Sequence, residues 1–312
     1  TSGAISTRGS VEKGNTVLDF DPQEKEVGHS LNSAMASFEW QGTRVHLLDT
    51  PGYPDFSGQS IGALAAVDTV LVVINAQTGI ELMTERMMRL ATARNLCRMI
   101  VINKIDADNV DLPKLVNEVR ERLGNQCMLL NLPAHHGQEA IELLGRASGE
   151  SDFDSVEAGH RALIDQIVEE DEELLDRYLN DGVDPAPEEL HTPFEKALRS
   201  GHLVPIVFVS ARTGAGMPQL LDVLAKLVPN PTEGNPPPFY RKGAGDAEAV
   251  PFPAEPDPGK HVLAHVFKVV SDPFIGKLGV FRVHQGTIKK DSQLFVGDAR
   301  RAFKVGHLYR PQ

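Results

Sequence analysis

The chain has 312 residues, 41% of them hydrophobic and 24% charged, which suits one large globular domain and part of a second. Its net charge of −12 excludes broad nonspecific binding to nucleic acid, because backbone phosphates would meet mainly like charge. Cys97 and Cys127 are the only cysteines, too few for a disulfide framework and not spaced as a zinc site, so they read as buried free thiols in a reducing compartment.

Residues 1–21 are rich in Gly, Ser and Thr, carry no apolar period and lack the blocks of a signal peptide. They read as a helix end running into a mobile loop. The alternation of Ala34, Ala36, Phe38 and Trp40 with Met35, Ser37 and Glu39 predicts a strand. Gln41-Gly42-Thr43 turns it into a second strand, Val45 to Leu48. That hairpin ends in Asp49-Thr50-Pro51-Gly52-Tyr53, a carboxylate and a Pro-Gly turn placed where doubly wound sheets bind ligands. Alone, the run is equally an ordinary Asx or type II turn.

A helix near Ile61 to Ala66 follows, then the apolar strand Thr69 to Ile74, which its continuous run predicts as a buried parallel strand. No apolar stretch is long enough for a membrane-spanning helix. A helix from Leu82 to Arg94 puts Leu82, Met83, Met87 and Leu90 on one face, and its methionines read as core packing rather than a partner groove. Strand Met99 to Ile102 leads into Asn103-Lys104-Ile105-Asp106. Asp111 caps the next helix, with Pro113 in its first turn, and Gln126 to Leu132 reads as a strand.

Between Pro133 and Pro205 the alternation stops, which marks an insertion. His135 and His136 have no partner ligands at metal spacing and read as a solvated loop. Leu163, Ile164, Ile167, Val168, Leu174, Leu175 and Tyr178 predict one long amphipathic helix with Glu169 to Glu173 on a solvated outer face. Strand Ile206 to Val209, the loop Ser210 to Gly216 and a helix from Pro218 to Leu227 complete the domain. Past a Pro- and Gly-dense stretch, Val262 to Val266, Val280 to Val283 and Leu294 to Val296 predict short antiparallel strands, the beginning of a small β-barrel. The fold class is therefore α/β, a mostly parallel doubly wound sheet with an inserted helical subdomain, followed by the start of an antiparallel β-barrel. The boundaries read as 1–232 for the nucleotide domain with its insertion at about 133–204, 233–258 for the linker, and 259–312 for the partial barrel.

Three polar elements each close a hydrophobic strand: Asp49 to Gly52, Asn103 to Asp106, and Ser210-Ala211. In this order they form the pattern of a guanine-nucleotide-binding domain. Asp106 can accept two hydrogen bonds, from the guanine N1–H and the exocyclic amino group, a donor pair that adenine lacks. A buried polar group left unpaired costs about 1–3 kcal/mol, so this pattern rejects ATP. Lys104 lays its stem over the base and the Ser210-Ala211 backbone meets the guanine carbonyl. Asp49 holds Mg2+, the Gly52 amide contacts the γ-phosphate, and a hydroxyl completes the metal shell, with Ser30 the candidate ahead of Thr16. A plain surface turn and a capping serine are the alternative reading of the same residues. No G-x-x-x-x-G-K-[ST] occurs in the chain, and the expectation is that these residues start after such a phosphate loop and bind nucleotide weakly or not at all by themselves.

These motifs, the helix ending Glu173-Leu174-Leu175-Asp176-Arg177-Tyr178-Leu179 and the run from Phe267 to Leu278 together resemble elongation factor G over nearly the whole chain. The resemblance implies a cytoplasmic translational GTPase that binds GTP or GDP with Mg2+ and docks on the ribosome, meeting ribosomal RNA and ribosomal proteins for translocation or recycling. It implies no membrane or DNA partner. By position it gives Asp49 and Ser30 to the metal and Asn103, Lys104, Asp106, Ser210 and Ala211 to guanine. Gly52 and Tyr53 fall to catalysis. Tyr53 stands where the family usually has the histidine that orients the attacking water, and a phenol, which titrates at about 10, is a poor substitute. Val27-Gly28-His29-Ser30-Leu31 also departs from the usual Arg-Gly-Ile-Thr-Ile, so the chain resembles a divergent, elongation factor G-like branch. The competing readings are a slow nucleotide-sensing, ribosome-binding module and a metabolic nucleotide-binding enzyme. The second of these needs substrate-site carboxylates or histidines that the sequence does not supply.

Overall fold

The computed structural model describes residues 2–5, 7, 9–11, 13–241, 248–297 and 299–310. The chain begins with α1 (Pro22–Val27), β1 (Ala34–Trp40), β2 (Thr43–Asp49), a 3-10 turn (Pro54–Phe56), α2 (Ser57–Ala63), β3 (Thr69–Asn75) and α3 (Leu82–Ala93). It continues through β4 (Cys97–Asn103), α4 (Leu112–Leu123), β5 (Cys127–Leu129), β6 (Asn131–Ala134), β7 (Glu139–Glu142), α5 (Val156–Val168) and α6 (Glu172–Asp181). α7 (His191–Ser200), β8 (Val204–Val209) and α8 (Met217–Lys226) follow. Last come β9 (Phe239–Arg241), β10 (Val250–Phe252), β11 (Leu263–Asp272), β12 (Gly276–Gln285), β13 (Gln293–Leu294) and β14 (Phe303–Lys304). Two compact units interleave along the chain: one of Thr1–Arg8, Ser37–Val45 and Asp68–Asn235, the other of Gly9–Ala36, His46–Val67 and Pro236–Gln312.

The first unit is built on a parallel sheet of order β3-β4-β8-β5. Asn75 pairs with Asn103 and Asn103 with Val209, so β3, β4 and β8 end level at one edge of the sheet. Every residue of β8 is buried. β3 differs from its expectation: it is the edge strand of this sheet and Val73 is 61% exposed, so its unbroken apolar run does not report burial on both faces. α3 buries Met83, Met88 and Ala91, which makes the methionine stripe core packing. Leu82, expected on that face, is 72% exposed at the helix start. α4 begins as its sequence predicts, with Asp111 accepting the Lys114 N–H at 3.0 Å. Cys97 and Cys127 are free and fully buried, and burial pushes each thiol up to about 11.

The insertion corrects two expectations. The strand expected over Gln126 to Leu132 is divided between β5 and the start of β6, and β6 pairs antiparallel with β7, which lies in the stretch that carried no strand signal. The single long helix is two, α5 and α6, because the acidic run breaks it. Asp171 caps α6 by accepting the Leu174 N–H at 3.0 Å, and a capping carboxylate competes with helix continuation. Glu170 is only 10% exposed and meets His202 Nδ1 at 2.6 Å, so the run is not a uniformly solvated face.

β1 and β2 form a two-stranded sheet turning at Gln41 and Gly42, whose φ of 48° and 82° suit a tight hairpin turn. In the second unit β11 and β12 pair from Leu263 opposite Gln285 to Asp272 opposite Gly276. Two side chains tie this hairpin to the loops of its unit: Lys268 Nζ donates to the Ser33 carbonyl, and Arg282 donates to the Ala66 carbonyl at 3.0 Å. The stretch read as linker contains the short antiparallel pair β9–β10, with residues 242–247 outside the described set.

Candidate functional site

Because β4 and β8 end in register, the loops after Asn103 and Val209 leave the first unit's sheet side by side. Lys104 takes a left-handed φ of 65°, uncommon for a residue with a side chain, and this turns the loop sharply. Asn103 Oδ1 then accepts the N–H of Lys104 at 2.8 Å and the N–H of Ala211 at 3.0 Å. One side-chain oxygen clamps both loops. Asp106, its side chain 3% exposed, sits between them. Burial works to raise its pKa, but hydrogen bonds from Ser210 and Arg212 outweigh burial and hold the carboxyl below the usual carboxylate value. Arg212 donates from Nε at 2.6 Å and lies 2.5 Å away through Nη2. Ser210 is fully buried, its N–H donating to the Ala215 carbonyl at 2.8 Å and its hydroxyl accepting the Thr213 N–H at 3.0 Å.

All five residues that the sequence assigns to guanine therefore converge. The Ala211 amide is already engaged by Asn103, so a purine carbonyl arriving there meets an N–H with a partner. Arg212 was not foreseen: its guanidinium offers Asp106 adjacent N–H donors, the chemical pattern of the guanine N1–H and amino group. Equally unforeseen is the turn between β6 and β7. Gly137 has a φ of 70°, and a Cβ there would lie 2.2 Å from the Ile105 carbonyl oxygen. Asp152 pins the turn by accepting the N–H groups of His136 and Gly137, both at 2.8 Å. His135 and His136 are exposed in that turn, as a solvated loop predicts. The one sequence cue to this support was the glycine after two turn histidines.

The residues assigned to phosphate and metal belong to the second unit. Ser60 donates its hydroxyl to the buried Pro51 carbonyl at 3.0 Å, which fixes the turn ahead of Gly52. Nothing lies within 4 Å of where a Gly52 side chain would begin, so its backbone stands open. Burial raises the pKa of Asp49, the charges of Asp19 and Glu24 add to the rise, and a backbone hydrogen bond from Thr50 opposes it. Ser30 donates to Asp19 Oδ1 at 2.9 Å and Thr16 to Asp19 Oδ2 at 2.7 Å, so both hydroxyl candidates converge on a carboxylate that the sequence did not single out. Glu24 is 1% exposed and spent on the backbone, accepting the N–H groups of Leu31 and Asn32, each at 2.9 Å, and of Asp21 at 3.2 Å. Tyr53 is exposed, its ring centroid 4.4 Å from that of His29.

Asp49, its proton affinity raised by burial and then by the charges of Asp19 and Glu24, makes with the hydroxyls gathered on Asp19 an oxygen-donor set whose like charges a hard cation would relieve. No group of three or more His, Cys, Asp or Glu among the described residues is arranged to hold a metal by itself. Mg2+ does not need one, since one or two carboxylates with water and substrate phosphate suffice.

Residues 1–230 match the family model described as the elongation factor Tu GTP binding domain. An elongation factor G-like protein of Mycobacterium tuberculosis is 33% identical over 97% of the chain and 43% of that protein. One from Thermotoga maritima is 30% identical over 97% of the chain and 45% of its own length, and the elongation factor G of that organism is 31% identical over 92% and 44%. A crystal structure from Thermus thermophilus superposes with a TM-score of 0.78 at 30% identity, covering 99% of this chain and 45% of that one. The chain thus spans somewhat less than half the length of these relatives.

Proposed function

The chain belongs to the elongation factor Tu GTP-binding domain family, and on that footing we propose that it recognises guanine nucleotide within a GTP-hydrolysing, elongation factor G-like translation factor that works on the ribosome. The observation that carries the reading is the Asn103 clamp, which fixes two loops around the buried, ionised Asp106. Asp106 selects guanine by accepting its N1–H and amino group in place of Arg212, an adjacent donor pair that adenine does not offer. Lys104 covers the base with its stem and Ser210-Ala211 borders the purine carbonyl. Asp49 and Ser30 hold Mg2+, with Asp19 orienting the Ser30 hydroxyl; the ion supplies charge neutralisation on the phosphates. Gly52 offers its amide to the terminal phosphate. The two buried free thiols and the family support a cytoplasmic protein, and the net charge of −12 argues against DNA as a partner; no membrane partner is proposed. Among the described residues no helix is long and apolar enough to cross a membrane.

Titration of fluorescent GDP against the full-length protein and against these residues alone, with ADP as control, tests the reading. Selective GDP binding by the full-length protein is expected. Equal affinity for GDP and ADP would overturn it. Tyr53 favours a second reading, a slow switch that senses nucleotide on the ribosome. Phosphate release at the rate of an ordinary elongation factor, on adding ribosomes, would remove it.

A further inference from the structure

The second unit places an unassigned imidazole against the exposed tyrosine. His29 follows Gly28, whose left-handed φ of 74° ends α1. Its ring lies 4.4 Å from Tyr53 and 6.1 Å from Phe56 between centroids, tilted 43° to both. His29 Nδ1 is 3.3 Å from the Ser30 carbonyl. A carbonyl only accepts, so this contact is a hydrogen bond when Nδ1 carries the proton, and in that neutral tautomer Nε2 holds the lone pair. No partner meets Nε2 among the described residues. The next residue, Ser30, is anchored on Asp19, the charge neighbour of Asp49. Tyr53, by contrast, is 53% exposed and its hydroxyl makes no hydrogen bond among the described residues.

We propose that His29, seated on the Tyr53 ring, is the water-orienting residue for GTP hydrolysis, and that Tyr53 acts as its platform. The inference rests on the GTPase reading above. His29 Nε2 accepts a hydrogen bond from the attacking water. The water oxygen forms the new bond to the γ-phosphorus as the bond to the bridging oxygen breaks. The displaced electron pair leaves on GDP, and both protons of the attacking water leave with the inorganic phosphate. An imidazole is suited to this task near neutral pH, and a phenol is not. The contact also joins the loop carrying Ser30 to the loop carrying Gly52, so the imidazole is positioned only when both are ordered.

The test uses the full-length protein and its H29A, Y53F and Y53A variants, with GDP affinity measured on each. H29A is expected to lower kcat about a hundredfold, within the usual range for such groups, and to leave GDP affinity within twofold. Y53F, which keeps the ring, should hydrolyse within threefold of wild type, whereas Y53A should fall towards H29A. Independently of turnover, 15N NMR should find His29 protonated at Nδ1, with its Nε2 resonance moved by a non-hydrolysable GTP analogue with Mg2+ and not by GDP. H29A turnover within twofold of wild type, or a proton on Nε2, overturns the assignment while GDP binding stands. A wild type that neither binds GDP nor hydrolyses GTP overturns the GTPase reading and this one with it. Should H29A fail to fold, the contrast between Y53F and Y53A decides the matter.

Discussion

Arg212 and Asp106 form the pair with the most direct consequence for binding. On the proposed reading a guanidinium hydrogen-bonded to Asp106 competes with guanine, and because the Asp106 side chain is only 3% exposed the two are not a solvent-screened surface pair. R212A is therefore expected to tighten GDP binding in the fluorescence titration; weaker binding would mean that Arg212 contacts the nucleotide instead. The lowered pKa of Asp106 fixes the pH dependence of this site. Its ionised form contributes fully above the ordinary carboxylate value and is lost as pH falls through the depressed one, so Asp106 imposes no loss of GDP affinity at mildly acid pH. Gly137 supplies a second prediction. An added Cβ meets the Ile105 carbonyl, and the left-handed backbone disfavours a side chain, so G137A should cost about 1–3 kcal/mol in urea denaturation and weaken GDP binding. Asn103, Asp106 and Ser210 were legible because each follows an apolar strand. Arg212 and Gly137 were not, because their partners are fixed only by the folded loops.

Among the elements, the β11–β12 hairpin carries a titration of its own. His284 faces His265 across the pair, with Nδ1 of His265 3.3 Å from its Nε2 and the Phe239 ring 5.2 Å away. Burial, then the charges of Arg282 and His265, lower the pKa of His284 to about 4. The unfolded chain takes up that proton at about 6.5, so the stability present above this value is lost as pH falls towards 4. The urea midpoint of the unit should drop between pH 7 and 4.5, and H284Q should flatten the drop. The elements also show where periodicity misleads. The apolar pattern from Leu163 to Tyr178 runs through α5 and α6 alike, but Asp171 capping converts one helix into two. β6 and β7 are short and pair with each other, so their residues carry no long alternation to read.

For the whole molecule, nucleotide binding is linked to stability. A ligand that binds only the folded protein at a hundred times its Kd stabilises it by about 2.7 kcal/mol. Saturating GDP should raise the melting midpoint of the full-length protein and ADP should not; equal shifts would count against guanine selection. By itself the sequence determined the α/β class, the alternation of strands and helices outside the insertion and the three polar motifs that close β2, β4 and β8. Apolar runs, caps and turn residues act within a few positions of one another and leave a local mark. Only the tertiary structure decided that Asp19 gathers Ser30 and Thr16, that Gly137 buttresses the base loop, that Arg212 occupies Asp106 and that His29 rests on Tyr53. Those contacts join residues from separate loops, and their positions follow from packing and hydrogen bonding across the fold rather than from any period in the chain.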